Sequence, residues 1–335
     1  MEFAVAILNQ GFEAFLDRVR LAEELGFEMI CFGDSQSLFR EAYVSDTAMA
    51  MVTRRARIAM TVSNPVTRHP AVIASAAASL DELSGGRFVL GLGSGDSALY
   101  NIGEQAVKVG ALREHVLLLR QLWTGDPVEW QGKTIRVGWA RHPVPIMLSA
   151  EGPRTLRLAG EICDEVCVGT GLLPDVVVDS LRTIAEGATA AGRAPGEVKT
   201  WFFAKLSLGD SREAAVDEIK MGLAASANHG FRFTFEGKRV PEALQPRILE
   251  LQRLYRSEQH EELGAGNPNR ALLDHDAELT RYLAARFGLA GTPDDVVEQL
   301  KGLAAAGVER VFMTAIAADP AALIRRFAEE VRPRL

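Results

Sequence analysis

The sequence predicts an α/β protein, a (β/α)8 or TIM barrel with a helical insertion after strand seven. Three observations predict it. Short apolar, β-rich runs alternate with segments of helical period, which is the pattern of a parallel sheet. There are eight such runs and the last lies near the C-terminus, so a closed barrel accounts for all of them without leaving an edge. One span, residues 208–290, is too long for a single crossover. The competing architecture is an open doubly wound sheet. The 335 residues are read as one domain over 1–335, with the insertion at 224–288.

The elements follow in order. Phe3–Leu8 is a buried-strand run, and Phe12, Phe15, Leu16, Val19 and Ala22 then recur at helical spacing up to a Gly26 cap. Met29–Phe32 is strand two, followed by a helix near 43–53. Ala56–Val62 is strand three. Pro70 opens the next helix at the favoured first position, and Gly85-Gly86 end it. Phe88–Leu92 is strand four, followed by a long helix near 104–123. Strands five to eight are Pro145–Leu148, Glu165–Val168, Lys199–Leu206 and Arg310–Thr314, with helices near 174–191 and 320–332.

Composition narrows the function. Lys plus Arg number 37 and Asp plus Glu 44, a net charge of −7, which argues against nucleic acid as a partner. No apolar run reaches the roughly 18 residues of a membrane span. No signal peptide is evident, and three cysteines fit a reducing cytoplasm. Cys163 and Cys167 have no His or Cys cluster beside them, so no metal is expected.

Functional groups of a parallel barrel sit on the loops after the strands. After strand two stands Gly33-Asp34-Ser35, where Asp34 is either an acid or a helix cap. After strand three, Arg68 and His69 are the adjacent basic and imidazole pair. They either contact an anion or substrate, or serve an ion pair and a helix start. After strand four comes Gly91-Leu92-Gly93-Ser94-Gly95-Asp96. It lacks both the dinucleotide and the Walker spacing, and Asp96 becomes a proton donor if burial raises its pKa. Ser149–Gly152 and Gly169-Thr170-Gly171 are small-residue loops suited to an anion. Many of the 30 glycines thus fall at strand ends, as a floor for a flat phosphorylated cofactor. His229 and His275 lie in or beside the insertion. Phe231, Phe233, Phe235, Tyr255, Tyr282 and Phe287 there suit an apolar substrate or simply pack together.

The stretches Asn64–Val72, Ala76–Arg87 and Gly91–Asp96, with Pro145–Pro153 and Gly291-Thr292-Pro293 further on, resemble the bacterial luciferase-like superfamily. Within it, the resemblance is to the branch containing methylenetetrahydromethanopterin reductase. The resemblance covers nearly the whole chain. It implies a barrel with an insertion after strand seven and a flavin, FMN, or a 5-deazaflavin coenzyme at the strand ends. It implies a bulge at Thr61-Val62-Ser63 under the ring, often with a non-proline cis peptide. It also implies that Asp96 is the acidic residue after the glycine stretch, and that Ser149, Glu151, Gly152, Gly169, Thr170 and Gly171 serve the phosphate. Asp34 and Gly95 complete the expected cofactor contacts. One departure matters: many family members, the deazaflavin enzymes included, carry Asp-His where this chain has Asp34-Ser35, and a serine is no general acid near neutral pH.

The reading favoured from sequence is a monooxygenase that uses reduced FMN from a separate flavin reductase. In it Ser35, Arg68, His69 and Asp96 act on oxygen and a small organic substrate. The alternatives are a deazaflavin-dependent hydride-transfer enzyme and a non-catalytic flavin-binding protein. A homodimer through outer barrel helices is the family expectation.

Overall fold

The computed structural model describes residues 1–260, 266–315 and 317–335. Its strands are β1 (Glu2–Ala6), β2 (Met29–Phe32), β3 (Arg57–Ser63), β4 (Phe88–Leu92), β5 (Val128–Trp130), β6 (Lys133–Ile135), β7 (Ile146–Ala150), β8 (Glu165–Val168), β9 (Lys199–Leu208), β10 (Gly288–Gly291) and β11 (Arg310–Thr314). The α-helices are α1 (Phe12–Glu24), α2 (Ala42–Val52), α3 (Pro70–Ser84), α4 (Ser97–Tyr100), α5 (Val109–Leu122), α6 (Pro153–Ile162), α7 (Pro174–Ala190), α8 (Arg212–Gly230), α9 (Gln245–Leu254), α10 (Pro268–Ala271), α11 (Ala277–Phe287), α12 (Pro293–Ala305) and α13 (Pro320–Arg326).

Eight parallel strands close the barrel in the order β1-β2-β3-β4-β7-β8-β9-β11, with β11 returning to β1. Each wall strand has helices on its outer face and the barrel interior on its inner one, so both faces are buried and its run is largely apolar rather than strictly alternating. Within β1, Ala4 points to the barrel axis while Phe3 and Val5 face the helices. The inner layer comprises Met29, Cys31, Ala59, Val89, Met147, Cys167, Trp201 and Phe312. Below it Glu165, almost fully buried, pairs with Arg57 and accepts a 2.8 Å bond from Trp201 Nε1, so the plug at the strand N-termini is a compensated charge.

The eight expected strands are all present, four with the expected bounds and four with ends shifted by one or two residues. Among the elements not anticipated are the β5–β6 hairpin, the short α4, helix α6, and the four-residue β10, which pairs with the end of β9. The expected insertion start at 224 falls inside α8, which runs unbroken from 212 to 230 and packs against β9 and β10. Of the expected 224–288 segment, residues 261–265 lie outside the described ones. Its rings mostly pack together: Phe231 and Phe287 centre a separate cluster, with Phe235, Tyr255 and Tyr282 against it. Phe233 departs, 79% exposed at the rim of the cleft.

Helices α6 and α7 approach through Gly160 and Gly187. A Cβ on Gly160 would overlap the Ile184 carbonyl and sit 2.9 Å from Ala188 N. Gly-to-Ala in an open helix interior is worth about 1 kcal/mol of stabilisation. Here Gly160→Ala is expected instead to destabilise by about 2 kcal/mol through overpacking, read as a lower urea midpoint.

Candidate active site

The strand C-termini of the barrel open into a cleft of about 710 Å³, within the range of cofactor sites. Its floor is built where β3 leaves the sheet. The β3–β4 register slips between Met60 and Ser63, and the Thr61–Val62 peptide is cis. This bulge turns Thr61, Val62 and Ser63 into the cleft. The next residue, Asn64, is 1% exposed; its Oδ1 accepts from Val66 N and Thr67 N, both at 2.9 Å. That fixes the amide with Nδ2 unpartnered in the cleft wall. Thr314 Oγ1, at the end of β11, is likewise buried without a partner. Buried polar atoms are ordinarily satisfied, so two orphans lining one cleft mark where a ligand would bond.

The wall after β2 is fixed by a charge pair. Asp34 is buried, accepts from Ser63 Oγ at 2.7 Å and binds Arg68, which also reaches Glu41 at 2.6 Å and lies over the Tyr43 ring at 5.0 Å. Burial alone would lower the Arg68 pKa, but Asp34 and then Glu41 outweigh it and hold the guanidinium charged. Ser35 Oγ meets Ser97 Oγ at 2.8 Å.

The opposite wall carries the densest electrostatics. The end of α8 presents His229 between two carboxylates: Nε2 lies 2.5 Å from Glu151 Oε1, and Nδ1 lies 2.8 Å from Asp96 Oδ2. The second contact is ionic, since Nδ1 does not align its N–H with an acceptor. Arg232 donates to Gly95 O at 2.8 Å and Ser94 Oγ at 3.0 Å and stands 3.7 Å from Asp96. Gly95 adopts φ +101°, where a side chain would also strike Leu99, and this presents its carbonyl to Arg232. Lys238 donates to Gly230 O and Arg232 O.

These contacts set the protonation. Burial would raise the Asp96 carboxyl, but His229 and Arg232 outweigh burial and hold it well below the carboxylate range. Glu151 is lowered in the same way, by His229 first, against its own burial. Burial and Arg232 push His229 down, yet Glu151 and Asp96 prevail and push it up to about 9. Burial lowers Lys238 to about 8. At neutral pH the wall is therefore carboxylate–imidazolium–carboxylate with two flanking cations.

The cleft gathers Asp34, Ser35, Thr61, Val62, Ser63, Gly95, Asp96, Ser149, Glu151, Gly152 and Gly169. Four of the expected site residues lie elsewhere. Arg68 is consumed by Asp34 and Glu41 behind the wall. His69 is exposed and caps α3, its Nδ1 accepting from Ala71 N. Thr170 turns away to Ser180 Oγ and gives its carbonyl to Arg286, and Gly171 packs on the same arginine. Asp96 is in place but ionised, so it is not the proton donor that burial alone would make it. The sequence places His229 in or beside the insertion, where it could face a substrate, without marking its role; Arg232 and Lys238 carry no motif. The cleft partners of His229 and Arg232 lie from about 80 to 140 residues away in the chain, so no local spacing reveals them. His275 is exposed and outside the cleft.

A closed parallel barrel with a charged, cofactor-sized cleft at its strand C-termini places the protein in the (β/α)8 class, with its site where such barrels carry theirs. The luciferase-like monooxygenase family model matches residues 1–310, and the chain belongs to that family. It is 30% identical to the 5,10-methylenetetrahydromethanopterin reductase of Archaeoglobus fulgidus, over 95% of this chain and 94% of the relative. It is 28% identical to the F420-dependent glucose-6-phosphate dehydrogenase of Nakamurella multipartita, over 94% and 90%. Among solved structures it resembles the coenzyme F420-dependent tetrahydromethanopterin reductase of Methanopyrus kandleri, with a TM-score of 0.76, 26% identity, and 99% and 98% of the two chains covered.

These relatives correct the favoured reading from sequence. Its main support for oxygen chemistry was the superfamily and the missing strand-two histidine. The near-full-length relatives are reductases and F420-dependent dehydrogenases, whereas a monooxygenase such as RslO1 of Streptomyces bottropensis is 20% identical and shares the fold. Reduced FMN as the cofactor loses its support with that reading. Among the described residues no helix is long and apolar enough to cross a membrane.

Proposed function

We propose that this protein is a deazaflavin-dependent oxidoreductase that moves a hydride between coenzyme F420 and a small organic substrate. The observation that carries the reading is end-to-end likeness to reductases and F420-dependent dehydrogenases, joined to a cleft whose residues fit such a group. The bulge Thr61–Ser63 offers a flat support. Asn64 Nδ2 and the Thr314 hydroxyl are unpartnered groups for ring heteroatoms. The loops Ser149–Gly152 and Gly169, with His229, Arg232 and Lys238 over them, suit an anionic side chain.

When bound, the deazaflavin supplies a two-electron hydride donor or acceptor. The chain's own residues do the rest. Asp34, locked by Arg68 and Ser63, keeps the strand-two wall rigid against the bulge. The barrel interior around Phe203, Phe312 and Lys205 closes the bottom of the cleft, and Phe233 lies at its mouth. The imidazolium of His229 holds its proton within the cleft at neutral pH, a role Ser35 cannot take. We further propose a homodimer through the outer faces of α2 and α3, where Val44, Met51, Val72 and Leu83 are exposed; sedimentation tests it.

Equilibrium titration with the deazaflavin coenzyme and with FMN, each followed by fluorescence, tests the cofactor. The coenzyme is expected to bind at least tenfold more tightly. A preference for FMN would overturn the reading.

A further inference from the structure

Glu151 occupies an unusual position for a carboxylate. It stands on the loop after β7 and lies flat against the loop after β8, close enough that a Cβ on Gly169 would come within 2.9 Å of its Cγ. Its side chain is only 17% exposed. The charges around it are mostly positive: His229 Nε2 at 2.5 Å, with Arg232 and Lys238 acting on it through space. Asp96 sits beyond, on the other face of the imidazole. All of these groups line the cleft, and the two loops are those the sequence marks for an anion.

We propose that the cations of His229, Arg232 and Lys238 form the seat for an oxyanion carried by the ligand, and that Glu151 is a built-in competitor filling that seat until the ligand displaces it. The proposal rests on the deazaflavin reading for the identity of the ligand, but the seat itself is defined by the protein alone. A carboxylate folded over Gly169 meets the same cations an incoming phosphate or carboxylate would meet. With Asp96 already held on the far side of His229, Glu151 and a further anion do not share the remaining seat, because like charges a few ångströms apart repel strongly in a partly buried site. Displacement is open to Glu151 because its side chain lines the cleft and is already 17% exposed, just before the Gly152 N-cap of α6. Glu151 thereby sets a threshold: a ligand must offer more charge or more acceptors than one carboxylate. Neutral flat molecules gain nothing from the seat.

The test uses the full chain, as wild type, Glu151→Gln and His229→Gln. Each is titrated with the deazaflavin coenzyme and with its phosphate-free chromophore, and melting is followed against inorganic phosphate. Glu151→Gln is expected to bind the coenzyme about tenfold more tightly and the chromophore unchanged. His229→Gln is expected to bind the coenzyme about tenfold more weakly. Phosphate should stabilise Glu151→Gln at a concentration about tenfold lower than wild type. Unchanged or weaker coenzyme binding by Glu151→Gln, or an equal gain for both molecules, overturns the seat. If wild type binds neither molecule, the deazaflavin reading falls, and the phosphate arm decides the seat by itself: equal phosphate dependence of the two proteins rejects it. Should Glu151→Gln fail to fold, Glu151→Ser removes the same charge and is read identically.

Discussion

Arg286→Met is expected to destabilise the protein by about 3–5 kcal/mol, because bonds to a charged donor contribute about 1.5–3 kcal/mol each and the orphaned acceptors stay buried. Arg286 is 0% exposed on α11. Its Nε donates to Thr170 O at 2.9 Å, one terminal nitrogen to Tyr282 Oη at 2.7 Å and Arg239 O at 3.3 Å, and the other to Lys238 O at 2.6 Å. The guanidinium also lies 4.9 Å from the Phe231 ring centre. It thus ties the loop after β8, the chain around Lys238 and α11 into one unit. Methionine preserves most of the volume but none of the five-donor fork. With an unfolding entropy of about 2.1 cal/mol/K per residue, the loss corresponds to a fall in Tm on the order of 5 °C. Calorimetry reads it. Because Lys238 lines the cleft and Thr170 sits behind its loops, ligand binding should weaken in the same variant.

His229→Gln has the second large effect, and its size depends on pH. The folded pKa of His229 is raised from 6.5 to about 9, so the folded protein holds the proton more tightly than the unfolded chain. The stabilisation is fully present below about pH 6.5 and is lost as pH rises toward about 9. Asp96 and Glu151 act with the opposite sign: their lowered values stabilise above the ordinary carboxylate range and lose that contribution as pH falls through it. The penalty of His229→Gln is therefore largest near pH 5.5–6.5, at about 2 kcal/mol once solvent access to the site is allowed for, and should nearly vanish by pH 9.5. Urea unfolding of both proteins across this range checks it. A penalty independent of pH would mean that His229 contributes packing rather than charge.

The barrel is legible in this sequence because its strands are buried on both faces. Runs such as Phe88–Leu92 and Glu165–Val168 announce themselves without any partner being known, and the Pro70 and Pro293 helix starts punctuate them. The β5–β6 hairpin is not legible in that way: Lys133 and Thr134 are exposed and its three-residue strands carry no periodicity. β10, Gly288–Gly291, is glycine-rich and becomes a strand only because it lies beside the end of β9. The strand-end loops could be located from local signals, and so could the bulge at Thr61–Ser63 through the family resemblance. What those loops do could not. Arg68 looks like a ligand-binding group until Asp34 and Glu41 are brought to it in space. Asp96 looks like an acid until an imidazole from a helix more than 100 residues later reverses the effect of burial. The missing strand-two histidine suggested oxygen chemistry, yet the positive group of the cleft is supplied across the barrel from α8.

Hydride transfer by a deazaflavin is tested most directly by supplying the protein with the reduced deazaflavin coenzyme in air, together with a panel of small carbonyl and imine acceptors. Coenzyme oxidation and oxygen concentration are recorded together. The expected result is acceptor-dependent oxidation of the coenzyme, one equivalent per acceptor reduced, with no oxygen uptake. Substrate-dependent oxygen uptake with reduced FMN, and none of the coenzyme oxidised, would contradict it.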